Sequence, residues 1–143
     1  MALTMANRGL YTALNTAVSA STDFRVLAFK TTLPTAAAVR DMNFVSDLLA
    51  ATTEAAASGY ARIDLAGVAI TESDASDNVV ISATAPTSAA ITAGETWLGV
   101  AYYVEGASDA ARPLIAVALD MASQVTNGGA IEFPALTLTV TGS

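Results

Sequence analysis

The chain has 143 residues, a length for one domain with room for an arm, and enough to bury roughly two-thirds of its unfolded surface without staples. It contains neither cysteine nor histidine, which excludes disulfides, thiolate or imidazole metal sites, and Ser-His-Asp or Cys-His catalysis. Apolar residues reach 53% and charged residues only 13%, with a formal charge of −7, so neither nucleic-acid phosphates nor anionic membranes are expected partners.

No basic stretch followed by an apolar one opens the chain at Met1 to Asn7, and no run of about twenty apolar residues is present. A membrane-spanning helix is therefore not expected. Leu3, Leu10, Leu14 and Val18 fall at helical spacing and predict an N-terminal helix or arm over residues 1–20, with Thr4 as a candidate N-cap and Gly9 as its weak point. Residues 21–143 read as a single β-rich domain.

Phe24 to Lys30 is the first strong strand. Phe24, Val26 and Ala28 lie on one face and Arg25, Leu27 and Phe29 on the other, so a central strand with two apolar faces is expected. Thr31 to Val39 reads as a loop, because Pro34 biases Leu33 away from helix. Asp41 to Ala57 is expected to be helical in part, with Asp41 as cap, a Phe44, Val45, Leu48 and Leu49 stripe, and Gly59 as terminator.

Beyond Tyr60 the pattern is β. Tyr60 to Ile70 alternates, Glu72 to Asn78 is a polar turn, and Val79 to Thr84 is a strand. Pro86 to Gly94 reads as a loop. Thr96 to Glu105, with Trp97, Val100, Tyr102 and Tyr103, is the most strand-like stretch. Leu114 to Leu119 is almost continuously apolar behind Pro113. Asn127-Gly128-Gly129 reads as a hairpin turn, and Ile131 to Val140 as a long strand broken at Pro134. Two helices and six or seven strands separated by turns predict a mainly β fold, an antiparallel sandwich or barrel.

Candidate sites are few. Glu72, Asp74, Asp77 and Asn78 form the one cluster of hard oxygen ligands, a weak candidate for calcium. The central glycine of an EF-hand loop is missing, and a solvated turn bonding its own backbone fits better. Lys30 is the sole lysine, and no Gly-x-Ser-x-Gly or Ser-x-x-Lys motif offers a serine nucleophile a base. The carboxylates stand singly in turns, apart from Asp64, Glu105 and Asp120 near strand ends, and read as solubilising charge. Trp97, Tyr102, Tyr103 and Tyr60 form either an exposed platform for sugar or protein or ordinary core packing. Candidate partner-interface residues are Met1, Leu3, Met5 and Arg8 on the arm, with Trp97 and Tyr102. No catalytic residue, metal or cofactor is expected.

The order of short segments carries a resemblance. Leu3-Thr4-Met5-Ala6-Asn7-Arg8-Gly9 is similar to an LTNRG-like opening, and Thr22 to Phe29 to a TDF-x-LAL strand. Phe44 to Leu48 leads to Gly59-Tyr60, Glu95 to Val100 holds the tryptophan, and Pro113 to Asp120 resembles an LAVLDF strand. The end runs through Asn127-Gly128, Ile131, Phe133-Pro134 and Leu136 to Leu138. In that order the chain resembles the β-rich head decoration (cement) proteins of tailed bacteriophages, departing from them in a glycine-containing segment before Trp97. The resemblance implies a non-enzymatic virion protein, made in the host cytoplasm and placed on the capsid surface. It also implies a homotrimer bridging major capsid protein subunits. A tail or head–tail connector protein and a carbohydrate-binding β-sandwich module are the alternatives.

Overall fold

The computed structural model describes residues 3–5, 23–73, 75 and 78–141. In chain order the strands are β1 (Leu3–Met5), β2 (Phe24–Lys30), β3 (Thr53–Glu54), β4 (Ile63–Asp64), β5 (Ala69–Ser73), β6 (Asn78–Ala83) and β7 (Thr87–Ala90). They continue as β8 (Thr96–Trp97), β9 (Gly99–Val104), β10 (Leu114–Ala118), β11 (Gln124–Val125), β12 (Ala130–Glu132) and β13 (Leu136–Thr141). Two short helices, α1 (Ala36–Asp41) and α2 (Val45–Ala51), lie between β2 and β3. The fold is mainly β, antiparallel throughout its sheets and sandwich-like, as the pattern of strands and turns predicts.

The main sheet has the order β1-β10-β9-β2-β3, with β4 also on β2. Both of its faces are covered. On one, Phe24, Val26, Ala28, Val100, Tyr102, Ala116 and Ala118 meet Ile81, Ala83, Leu136 and Leu138 of the smaller sheets and Phe133 of the β12–β13 connection. On the other, Leu27, Phe29, Ala101, Tyr103 and Val117 meet Val39, Met42, Val45 and Leu48 of the helical layer. A strand buried on both faces loses polar alternation, so β9 and β10 read as unbroken apolar runs. The predicted faces of β2 are those observed.

Strand β10 contains a bulge. Leu114 pairs with Tyr103 but Ala116 with Tyr102, which leaves Ile115 as the extra residue. Ile115 and Ala116 are therefore neighbours on the same face, while Leu114 and Val117 lie on the other.

The 96–105 stretch is two strands. Thr96 and Trp97 pair with β11, then the Leu98 N–H donates to the Phe29 carbonyl (2.9 Å) and β9 joins the main sheet. The chain changes sheets at this point, and Gly99 permits it. A Cβ there would collide with the Phe29 ring and the Ala118 carbonyl.

Several local expectations need correction. The predicted loop Thr31 to Val39 contains most of α1, whose N-cap Thr35 accepts a hydrogen bond at Oγ1 from the Ala38 N–H (3.2 Å). Asp41 ends that helix and does not begin the next. The α2 cap is supplied by Asp47, whose carboxylate accepts from the Asn43 and Phe44 N–H groups at 2.8 and 3.0 Å. The predicted loop Pro86 to Gly94 holds β7, paired with β12. Asn127-Gly128-Gly129 is a turn but not a hairpin, because β11 pairs with β8 and β12 with β7. Leu3–Met5 is a strand on β10 and not the start of a helix, so this part of the predicted arm belongs to the main sheet. The rest of the predicted N-terminal helix, including Arg8, lies outside the described residues, as does Met1.

Candidate functional site

Eight charged side chains gather where β2 begins and β9 ends, on the helix side of the main sheet. Arg25 pairs across the sheet with Tyr103, and the Arg62 guanidinium lies 5.4 Å from the Tyr103 ring centroid. Arg62 grips Glu54 through two bonds, Nε–Oε1 at 2.7 Å and Nη2–Oε2 at 2.6 Å. Its other edge donates to Asp109 at 2.6 and 3.1 Å. Arg112 donates to Asp109 (2.8 Å) and to Glu105 (2.6 Å). Arg25 meets Asp64 at 2.7 Å, Glu105 at 3.0 Å and Asp23 at 3.4 Å. The Tyr60 hydroxyl donates to Glu54 (3.0 Å) and accepts from the Ala28 N–H (3.0 Å).

Three arginines and five carboxylates thus make one continuous network. It links β3, the segment after Gly59, β4, the ends of β2 and β9, and the 3-10 turn Asp109–Ala111. Planar two-pronged pairing of this kind fixes orientation as well as charge. Hydrogen bonding from Arg62 holds the Asp109 carboxyl below its ordinary range, against an opposing effect of burial. Burial would raise Glu105, but the bonds from Arg112 and the Gly106 N–H outweigh it and bring it down. Burial pushes the Tyr60 phenol up, and neighbouring Glu54 adds to the rise.

A second pair stands apart. Lys30 lies 3.2 Å from Glu95, whose carboxylate also accepts from the Ala56 N–H at 2.9 and 3.1 Å. Burial raises the Glu95 carboxyl, and these bonds more than reverse that effect.

Asp64 and Glu105 are bonded to arginine and are not simple solubilising charge. An open groove of about 460 Å³ runs beside Arg25, Arg62, Asp64, Gly59 and Ser88, but both of its arginines are already turned onto carboxylates. Among the described residues no group of three or more acids is placed to hold a metal ion.

Of the two readings of the aromatics, core packing is the one observed for Trp97 and Tyr102, and neither offers an exposed platform or surface contact. Trp97 is 1% exposed and Tyr102 0%. Trp97 packs edge-on to Tyr60 (5.7 Å between centroids) and against Phe133 (5.5 Å). The Tyr102 hydroxyl donates to the Pro134 carbonyl at 2.7 Å. Both side chains point between the layers, because alternation along β8 and β9 sends them inward. They are core, and Tyr103 is too. Trp97 Nε1 is buried with no hydrogen-bond partner among the described residues and lines a cleft of about 150 Å³, with room for a water molecule.

Of the acidic turn, Asn78 opens β6, in register with Ser73 and Thr141, while Asp74 and Asp77 lie outside the described residues. Glu72 lies on β5, in register with Val79. Leu3 and Met5 are in register with Ala118 and Ala116, and Leu3 packs against the sandwich core.

The outer face of the β13-β6-β5 sheet has a different chemistry. Thr137, Ser82 and Ala69 lie in one cross-strand row, and Thr139, Val80 and Thr71 in the next. Thr137, Thr139 and Thr141 are exposed, while Leu136, Leu138 and Val140 point inward. These two rows carry no charge. The sequence shows the alternation that builds this face, but not which strands stand beside one another.

Comparison with protein-family models, with curated proteins and with solved structures finds no match. Among the described residues, no helix is long and apolar enough to cross a membrane.

Proposed function

We propose that this chain is a non-enzymatic structural protein of a tailed-phage virion, a decoration protein that binds the outside of the major capsid shell as a trimer and stabilises it. The ordered sequence resemblance motivates the reading. The structural observation that carries it is how charge is distributed. Arg25, Lys30, Arg62 and Arg112 are all turned onto carboxylates of their own fold, which stiffens the loops, while the β13-β6-β5 sheet presents rows of Thr, Ser, Ala and Val. Such a surface can press against a shell without stripping water from charged groups. Contact with several capsid subunits at once makes individually modest contacts hold. The burial of Trp97 and Tyr102 removes the feature on which the carbohydrate-binding alternative rested.

The test is to add purified chain to capsid shells prepared without it. Saturable cosedimentation and a raised shell disruption temperature are expected. A chain that stays in the supernatant and leaves the disruption temperature unchanged would overturn the reading.

A further inference from the structure

We propose that Asn127 is a self-modification site: in the folded chain its side-chain amide is lost to attack by the Gly128 backbone nitrogen, leaving aspartate or isoaspartate in the turn between β11 and β12. The inference concerns the purified chain alone and does not depend on the virion reading. Asn127 and Gly128 are both exposed. Gly128 holds a φ of +91°, and the absence of a Cβ leaves its nitrogen uncrowded.

The turn brings three things together. The carboxamide is held in place, because Asn127 Oδ1 accepts from the Gly129 N–H at 3.0 Å. The ring closed by that bond contains Asn127 Cγ and the Gly128 backbone, so the carboxamide is folded back over the peptide group that attacks it. The donor is also in place. Negative charge that develops on Oδ1 as the nitrogen adds falls on an atom already hydrogen-bonded. The attacking nitrogen is free, since the Gly128 N–H has no acceptor among the described residues. Gly129 permits the fold-back, because a Cβ there would stand only 3.2 Å from Oδ1. The other described asparagines lack this arrangement. Asn43 precedes Phe44, whose N–H is bonded to Asp47 at 3.0 Å, and Asn78 precedes the β-branched Val79.

The reaction balances with water as its only co-reactant. A bond forms from the Gly128 nitrogen to Asn127 Cγ, and the nitrogen gives its proton to hydroxide or water. The Cγ–Nδ2 bond breaks, and Nδ2 takes up a proton and leaves as ammonia. Water then opens the cyclic imide at either carbonyl. One opening gives aspartate at position 127. The other routes the main chain through the side chain and lengthens it by a methylene. Both add a negative charge. The lengthened form matters because the turn is clamped on both sides. The Gly94 N–H donates to the Thr126 carbonyl at 2.9 Å, and the Ile91 N–H to the Gly129 carbonyl at 3.0 Å. A longer turn cannot hold both bonds in their present geometry, so the 91–94 segment loosens.

The test incubates the full-length folded chain in mildly alkaline buffer beside the same chain in urea. Peptide mass spectrometry follows position 127, and isoaspartate is read with an isoaspartate methyltransferase. The expected result is a gain of about 1 Da confined to the peptide containing residues 127 and 128, at a rate in the folded chain equal to or above that in urea. Asn127→Ser should abolish the gain, because serine keeps an acceptor for the Gly129 N–H but carries no amide. A folded chain that gains more slowly than the chain in urea, or not at all, overturns the proposal, because the turn would then protect Asn127. Hydrogen exchange at the Ile91 and Gly94 amides reads the consequence. Faster exchange in the isoaspartate fraction is expected, and unchanged exchange would refute the loosening.

Discussion

Strands β10 and β13 are close in length and both pair antiparallel, yet they read in opposite ways. β10 is buried at every position, between the helical layer and the sandwich core. β13 alternates strictly, with Leu136, Leu138 and Val140 inside and Thr137, Thr139 and Thr141 outside. The difference is the number of covered faces. A doubly covered strand cannot spare a polar side chain, so its sequence reports burial but hides its phase. A singly covered strand states its phase outright. In β10 the hidden phase matters, because the bulge at Ile115 reverses the faces partway along.

Substitutions measure this contrast. Phe29→Ala removes a fully buried ring between β2 and the helical layer and opposite Gly99. It is expected to cost about 3–5 kcal/mol in denaturant unfolding. A loss below about 1 kcal/mol would mean that the helical layer is not packed on this sheet. Arg62→Met takes the central guanidinium from Glu54 and Asp109. A partly exposed network of this kind falls between surface and buried pairs, so a loss of about 1–2 kcal/mol is expected. An unchanged midpoint would show that the network does not hold the loops.

Acid adds a further test. Asp109, Glu105 and Glu95 are all held below their ordinary range in the folded chain. Their contribution is complete above the unfolded carboxylate range, about pH 4, and is lost as the pH falls through and below it. Stability should therefore drop on acidification, and Arg62→Met should flatten part of that drop, because Arg62 is the main cause of the Asp109 shift. Parallel pH profiles for the two proteins would refute the assignment. The smallest effect belongs to the outer face. Thr139→Ala should change stability by less than about 0.5 kcal/mol. A larger loss would mean that this face is packed against something within the chain.

Legibility in the sequence follows the same physics. Strand β2 was readable to its ends, because alternation of two apolar sets leaves no other placement for Arg25. The helix α1 was not, because its one inward apolar residue, Val39, gives no periodic stripe and its signal is the single cap Thr35. The split at Leu98 and Gly99 was hidden inside an unbroken apolar run, where only tertiary contact with Phe29 and Ala118 shows why glycine is needed. The arginine network was invisible for a different reason. Arg62 and Asp109 are 47 positions apart, and nothing local in either segment indicates the other. The usable hint was scarcity: a chain with six basic residues that places Arg25 and Arg62 in its strand-like segments is using them for a purpose. Trp97 and Tyr102 were misread as interface candidates because residue type alone does not say which way a strand faces.

The proposed role makes this fold a repeated component of a capsid surface. Quantitative mass spectrometry of purified particles tests it most directly, by measuring the ratio of this chain to the major capsid protein. Near-stoichiometric abundance is the predicted result. A ratio of only a few per cent, on the order expected for a component confined to one vertex or the tail, or absence from the particles, would contradict it.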